Sequence, residues 1–244
     1  MSKRNYMNTI FENSRTENNA EAVRDFFRTV YSYMFAALGI SGIIAYRVGN
    51  DPSLFSEYFV NATGGLSASF YVVLFAPIAL SFVIQWGYNK LSMLSLTLLF
   101  ILYSGLMGLM LSSIFLVYEI QAIANTFFVS AGAFGGMAIL GYTTKTDLSK
   151  FGSLLYMVFI GMFISSIVNI FIGSNSMGFI IACLGVFVFT GLTAYHMQAL
   201  KNMVQSGQMS QGQKSKIALI GGLQLYILFI NLFLSLLRVM GGRD

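Results

Sequence analysis

Seven apolar runs, separated by short polar connections, decide what this chain can fold into. They are Thr29–Tyr46, Leu66–Trp86, Leu91–Ser113, Gln121–Tyr142, Phe151–Ile172, Met177–Leu200 and Ile217–Met240. A helix rises about 1.5 Å per residue, so roughly 20 apolar residues cross the hydrocarbon core of a bilayer. Inside lipid every backbone group must be bonded within the segment, which selects helices. The expected fold is all-α: a polytopic membrane protein with seven transmembrane helices in one domain, residues 26–244. A polar cytoplasmic segment, 1–25, precedes it. That segment lacks the apolar stretch of a signal peptide and is expected to be disordered up to Ala20–Arg28, where AEAVRDFFR reads as a helix lying along the interface. The connections Gly87–Lys90, Thr143–Lys150 and Gly173–Ser176 leave no room for a second domain, and neither do the longer Arg47–Gly65 and Lys201–Lys216.

The last run differs from the others by its stripe. Gly221, Gln224, Leu228, Asn231, Ser235 and Arg238 recur at steps of three and four, which places them on one helical face. All but Leu228 are small or polar. Such a face is expensive against lipid and belongs against protein or water. Ile217–Met240 is therefore expected to be the central, least lipid-exposed helix.

Charge sets the orientation. Only 9% of residues are charged, against about 25% in a soluble domain, while 56% are hydrophobic. With the N-terminus in the cytoplasm, the inner segments hold Lys3, Arg4, Arg15, Arg24, Arg28, Lys90, Lys145, Lys150, Lys201, Lys214 and Lys216. The outer ones hold Arg47, Arg238 and Arg243. By the positive-inside rule the N-terminus is cytoplasmic and the C-terminus outside. The net charge of +5 is thus an orientation signal, and nucleic acid is not an expected partner. The lone Cys183 excludes an internal disulfide.

Small residues mark where helices are expected to touch, because association in lipid relies on close backbone approach. Gly132 and Gly136 form a GxxxG pair. Ser104, Gly108 and Ser112 repeat the spacing, as do Gly161, Ser165, Asn169 and Gly173.

The run Tyr118–Ser153, YEIQAIANTFFVSAGAFGGMAILGYTTKTDLSKFGS, resembles the signature region of the Bax inhibitor-1 family, most specifically in FGGMAILGYTTKTDLSKFGS. The resemblance extends from FFRTVYSYM (26–34) through VNIFIG (168–173) and GLTAYHMQALK (191–201) to LYILFINLFLSLLR (225–238). It implies a seven-helix bundle with the last helix at its centre, in a bacterial plasma (inner) membrane. Members of the family are pH-sensitive calcium leak channels, or regulators of cell death or of membrane proteases. Leak members carry an aspartate after the tyrosine of the sixth span, where this chain has His196 after Tyr195. They carry a second aspartate two residues after the tyrosine of the seventh span, where this chain has Leu228 after Tyr226. The two aspartates are the proton-sensing pair, and this chain has neither.

The residues expected to line a path or sense pH are therefore His196, Leu228, Asn231, Gln224 and Asn169. His196 is read equally as a structural hydrogen bonder or as a functional group, since ionisable residues are rare within spans; a functional imidazole titrates near pH ~6.5, lower where desolvated. Acid makes His196 a cation, the opposite sense from a carboxylate pair losing charge, and a cation repels calcium. One histidine supplies no calcium site, since calcium takes about six to eight oxygens. The alternative for Gln224, Asn231, Ser235 and Asn169 is hydrogen bonding between helices. In the loop Thr143–Lys150, Asp147 or Ser149 is expected to cap the next helix. No enzyme is expected: one histidine and one cysteine make no catalytic zinc, and Ser130 has no supporting nucleophile motif. No cofactor is expected either; retinal would need a lysine in the last span. Expected partners are the bilayer, with calcium or other cations for a leak protein, or another membrane protein for a non-conducting regulator.

Overall fold

The computed structural model describes residues 3–61, 65–206 and 210–241, without the side chains of 3–19 and Pro52. Its helices are α1 (Lys3–Gly49), α2 (Pro52–Phe59), α3 (Ala68–Gly87), α4 (Met93–Leu111), α5 (Ile120–Thr143), α6 (Ser149–Ile172), α7 (Asn175–Gln205) and α8 (Gln211–Met240). A 3₁₀ turn, Ser112–Leu116, follows α4. Among the described residues seven helices are long and apolar enough to cross a membrane; α2 is the short extra one, between the first two spans. Among the described residues the only extended pairing is an isolated bridge, Val60 with Leu66.

The helix boundaries follow local chemistry. Asp51 caps α2, accepting from the Ser53 and Leu54 N–H groups, and Pro52 opens the helix. Ser210 and Gln213 form a reciprocal capping box that starts α8. Gly173, at φ 68°, ends α6 in the left-handed conformation; its N–H donates to the Asn169 carbonyl. Ser174 then caps α7 by accepting from the Met177 N–H at 3.2 Å.

The first span departs from expectation. Ala20–Arg28 is not a separate interfacial helix; it continues into the span as part of α1. Val23, Phe26, Phe27 and Val30 are buried in the main core, which ties this stretch to the bundle. The periodicity of those four apolar residues continues that of the span itself. Of the charges used for orientation, Arg243 lies outside the described residues, as do the side chains of Lys3, Arg4 and Arg15. Arg24, Arg28, Lys90, Lys145, Lys150, Lys201, Lys214 and Lys216 gather at one end of the bundle, the basic end, while Arg47 and Arg238 lie at the other.

At the centre stands α8, with 67% of its most apolar window buried, against 6% for α6. It packs on α7, α1, α5 and α4, while α3 is held by α4, and α6 by α7. Aromatic pairs join the layers: Tyr103–Tyr226 between α4 and α8, Phe134–Phe229 between α5 and α8, Tyr33–Phe100 between α1 and α4.

Close crossings fall on Gly108, one of the expected small residues, and on Gly222 and Gly141, which the spacing does not single out. A Cβ on Gly108 would sit 2.8 Å from the Ser41 carbonyl oxygen, so α1 and α4 meet there. Gly222 does the same for α1 and α8, its Cβ position lying 2.9 Å from the Val30 carbonyl oxygen. Gly141 admits the backbone of Ala194, joining α5 to α7. The GxxxG pair Gly132 and Gly136 does not make such a crossing: nothing lies within 4 Å of a Cβ at either, nor at Gly161. Close approach depends on which face the bundle turns inward, and spacing alone is the same on both faces.

Candidate functional site

Polar groups in the spans mostly satisfy themselves. Asn231 Nδ2 donates to the Ile227 carbonyl at 2.8 Å, and Ser235 Oγ to the Asn231 carbonyl at 2.7 Å. Ser104, Ser130 and Thr193 likewise bond the carbonyl four residues back. Such back-bonding removes the penalty for a hydroxyl or amide in an apolar setting without needing a second helix. It also explains a feature of α8. Gln224, Asn231 and Ser235 are only half-buried and Arg238 is exposed, whereas Leu219, Leu223, Leu225, Tyr226 and Leu232 are sealed. The core is made by the apolar faces. The polar stripe turns to α7, with Ser235 against Gly185 and Arg238 against Gly178.

One place breaks this pattern of self-satisfaction. His196 of α7 meets Tyr156 of α6, whose hydroxyl stands 2.7 Å from Nε2. The Gln224 side chain of α8 lies beside the same imidazole. The ring also packs edge-on to Tyr195 and Tyr156, at centroid distances of 5.4 and 6.1 Å. Tyr195 reaches this position because Gly152 has no side chain; a Cβ there would enter the Tyr195 ring. Three helices thus converge on one imidazole through polar groups. With both a donor and an acceptor on the ring, neutral His196 can satisfy a phenol and an amide at once.

The expected site residues separate accordingly. His196 and Gln224 are brought together. Leu228, one turn farther along α8, is buried in the apolar core at 6% exposure. Asn231 is engaged by its own helix, one further turn on. Asn169 belongs elsewhere: its Oδ1 accepts from the Ser174 N–H at 3.1 Å, tightening the α6–α7 turn at the end away from His196. Toward that end the space between α1, α5 and α8 is a cavity of about 110 Å³ lined by Leu111, Phe127, Phe229 and Phe233, with Ser41 at its wall.

The sequence reading missed Tyr156, Gln198 and Tyr226. Gln198, on α7, is 7% exposed and holds the α5–α6 loop from both sides. Its Oε1 accepts from the Leu148 N–H at 2.8 Å and its Nε2 donates to the Thr146 carbonyl at 2.7 Å. In the same loop Asp147 accepts from the Ser149 N–H at 2.9 Å, but the cap position of α6 is Leu148, so neither Asp147 nor Ser149 is the expected N-cap. The Ser149 hydroxyl and that N–H hold the exposed Asp147 carboxyl below the usual carboxylate range. Tyr226 is fully buried with a hydroxyl that makes no hydrogen bond; the Ser41 hydroxyl is its polar neighbour. A tyrosine in an apolar run gives no signal that separates these roles, and Gln198 carries one only through its rarity in a span.

Residues 23–244 match the family described as "Inhibitor of apoptosis-promoting Bax1". The chain is 40% identical over 222 residues to the inner membrane protein YbhL of Escherichia coli (strain K12), covering 91% of this chain and 93% of that one. It is 41% identical over 218 residues to an uncharacterized protein of Borreliella burgdorferi, 89% and 92% of the two chains. It is 34% identical over 239 residues to protein RP147 of Rickettsia prowazekii, 98% of each.

Proposed function

Because the chain belongs to the Bax inhibitor-1 family, we propose that it is a multi-pass protein of a bacterial inner membrane, a pH-modulated leak protein gated at His196, with calcium conductance weak or absent. The gathering of basic residues at one end of the bundle supports a cytoplasmic N-terminus. The observation that supports the functional reading is that Tyr156 and Gln224, from two other helices, meet at His196, one of the two positions where the resemblance leads one to look for a gate. Protonation would turn an acceptor nitrogen of that imidazole into a donor and add a charge. Either change disturbs a bond between α6 and α7, which is the element a gate requires. A carboxylate partner is not part of this cluster, so acid adds positive charge to it, and calcium is disfavoured.

The sealed position of Leu228 favours a second reading. An apolar side chain buried in the core beside the polar stripe interrupts any wetted path along α8. On that reading the protein is a non-conducting regulator acting through contacts with another membrane protein, for example a membrane protease. Ion flux from proteoliposomes, compared between pH 5.5 and pH 8 for calcium and for a monovalent cation, separates the two. Acid-dependent monovalent flux that disappears in His196→Gln supports the leak protein. Absence of flux for every ion at both pH values supports the regulator, and strong acid-gated calcium flux overturns both.

A further inference from the structure

Helices α1 and α5 both pack near α7 and α8, yet they leave a cleft between them at the basic end. Its volume is about 380 Å³, and Phe27, Tyr31, Ala138, Tyr142 and Met197 form its floor and walls. The walls are held in place. Phe27 meets Tyr142 edge-on at 5.5 Å, and the Tyr31 hydroxyl donates to the Met197 sulfur at 3.5 Å. Lys201 Nζ donates to the Tyr142 carbonyl at 2.7 Å and lies 5.0 Å from the Tyr142 ring centroid. The cleft's rim carries Arg24 and Arg28, both exposed. Arg28 has one acidic neighbour, Asp25, at 3.6 Å, with both side chains largely in solvent. An exposed pair of this kind is worth little and leaves most guanidinium donors free.

This combination is an apolar slot lying along the spans, topped by two forked cations at the level where headgroups sit. We propose that the cleft binds an anionic phospholipid of the leaflet on the basic side. Its acyl chain lies against Phe27, Tyr31 and Ala138, and its phosphate lies between Arg24 and Arg28. Arginine suits this task because its planar fork donates to two phosphate oxygens while its stem stays against apolar surface. Basic pockets between spanning helices on the cytoplasmic side are a known form of headgroup site. Lys201 supports the site by fixing Tyr142 and adding positive potential. The bound lipid would fill the gap between two helices that have little contact of their own, which ties the packing of α1 to membrane composition.

Native mass spectrometry of the full chain, released from nanodiscs of phosphatidylglycerol or of phosphatidylcholine, tests this. The wild type is expected to retain one phosphatidylglycerol in preference to phosphatidylcholine. Arg24→Gln with Arg28→Gln should weaken that retention roughly 30-fold, taking about 1 kcal/mol for each charge near the surface. Ala138→Leu, which fills the slot and keeps the rim, should weaken phosphatidylglycerol as well. The loop pair Lys145→Gln with Lys150→Gln should leave retention unchanged. Equal retention of both lipids, no effect of the arginine pair, or an equal loss in the loop variant overturns the proposal. Because both arginines are exposed, a monodisperse, helical double variant is expected, and the measurement stands even if Ala138→Leu fails to fold.

Discussion

The Tyr156 hydroxyl of α6 and Nε2 of His196 on α7 are 2.7 Å apart, a polar tie between two helices whose other contacts are apolar and aromatic. Phe151 with Phe187, Phe159 with Phe189, Tyr195 over Gly152 and Leu155 against Gly191 belong to the same seam. The tie is therefore the part of the seam that pH can reach.

A double-mutant cycle of Tyr156→Phe and His196→Gln, read from unfolding in detergent, should give a coupling of about 0.6 kcal/mol and not above ~1.7. His196→Gln alone should remove the pH dependence of the unfolding midpoint between about pH 5 and 7, since glutamine keeps a donor and an acceptor without titrating. The same slope in both forms would show that His196 is not the sensor.

Replacing His196 and Leu228 together by aspartate should confer acid-responsive calcium leak on proteoliposomes. Each aspartate alone should lower stability, as a carboxylate near a helix centre carries about +2.5 to +3.5 kcal/mol on insertion scales. Two can share a proton and offset part of that. Calcium flux unchanged by the double substitution removes the link between these two positions and conduction.

Gly141→Ala should destabilise the bundle by about 1–3 kcal/mol, because its new methyl enters the backbone of Ala194. Gly136→Ala, one turn and a half earlier on the same helix, meets nothing and should stay within about 0.5 kcal/mol of wild type. Equal effects would mean that another chain covers Gly136.

The Asp147 carboxyl is held low by Ser149, so its contribution to folding is present above the unfolded value near ~3.9 and is lost as pH falls through the lower folded value. Asp147→Asn should therefore change stability at neutral pH slightly and remove part of the acid sensitivity below about pH 4. Circular dichroism melts at pH 3 and pH 7 in a stable detergent check this; an identical acid loss in the variant rules the Asp147–Ser149 bond out as its source.

In a Cys183→Ala background, a membrane-impermeant maleimide applied to intact cells should label Ser56→Cys on α2 and not Lys145→Cys in the α5–α6 loop. The reverse pattern inverts the assigned topology.

Much of the fold was legible in the sequence. Span length and the polar stripe of Ile217–Met240 led to seven helices and a central α8, because length and polarity are properties of single segments. The face of α8 that makes the core was not legible. Asn231 and Ser235 can bond their own helix, so their polarity does not dictate where they point. The pair Gly132 and Gly136 failed for a related reason, while Gly108 met its neighbour as expected: Gly141 is a crossing and Gly136 is not, and only the neighbour's position decides. At the site, His196 stood out by rarity. Tyr156 and Gln198 act through partners forty or more residues away, a relation no local spacing carries.

Helix α6 has 6% of its apolar window buried and leans on α7. An outward tilt of α6 would open one seam and leave the packing of α8 against α1, α4 and α5 intact. On the gating reading α6 is a side door in that bundle, and the phenol–imidazole bond is its polar latch. Whatever passes or docks when the latch lifts would arrive sideways, from the lipid, and not down the axis of the bundle.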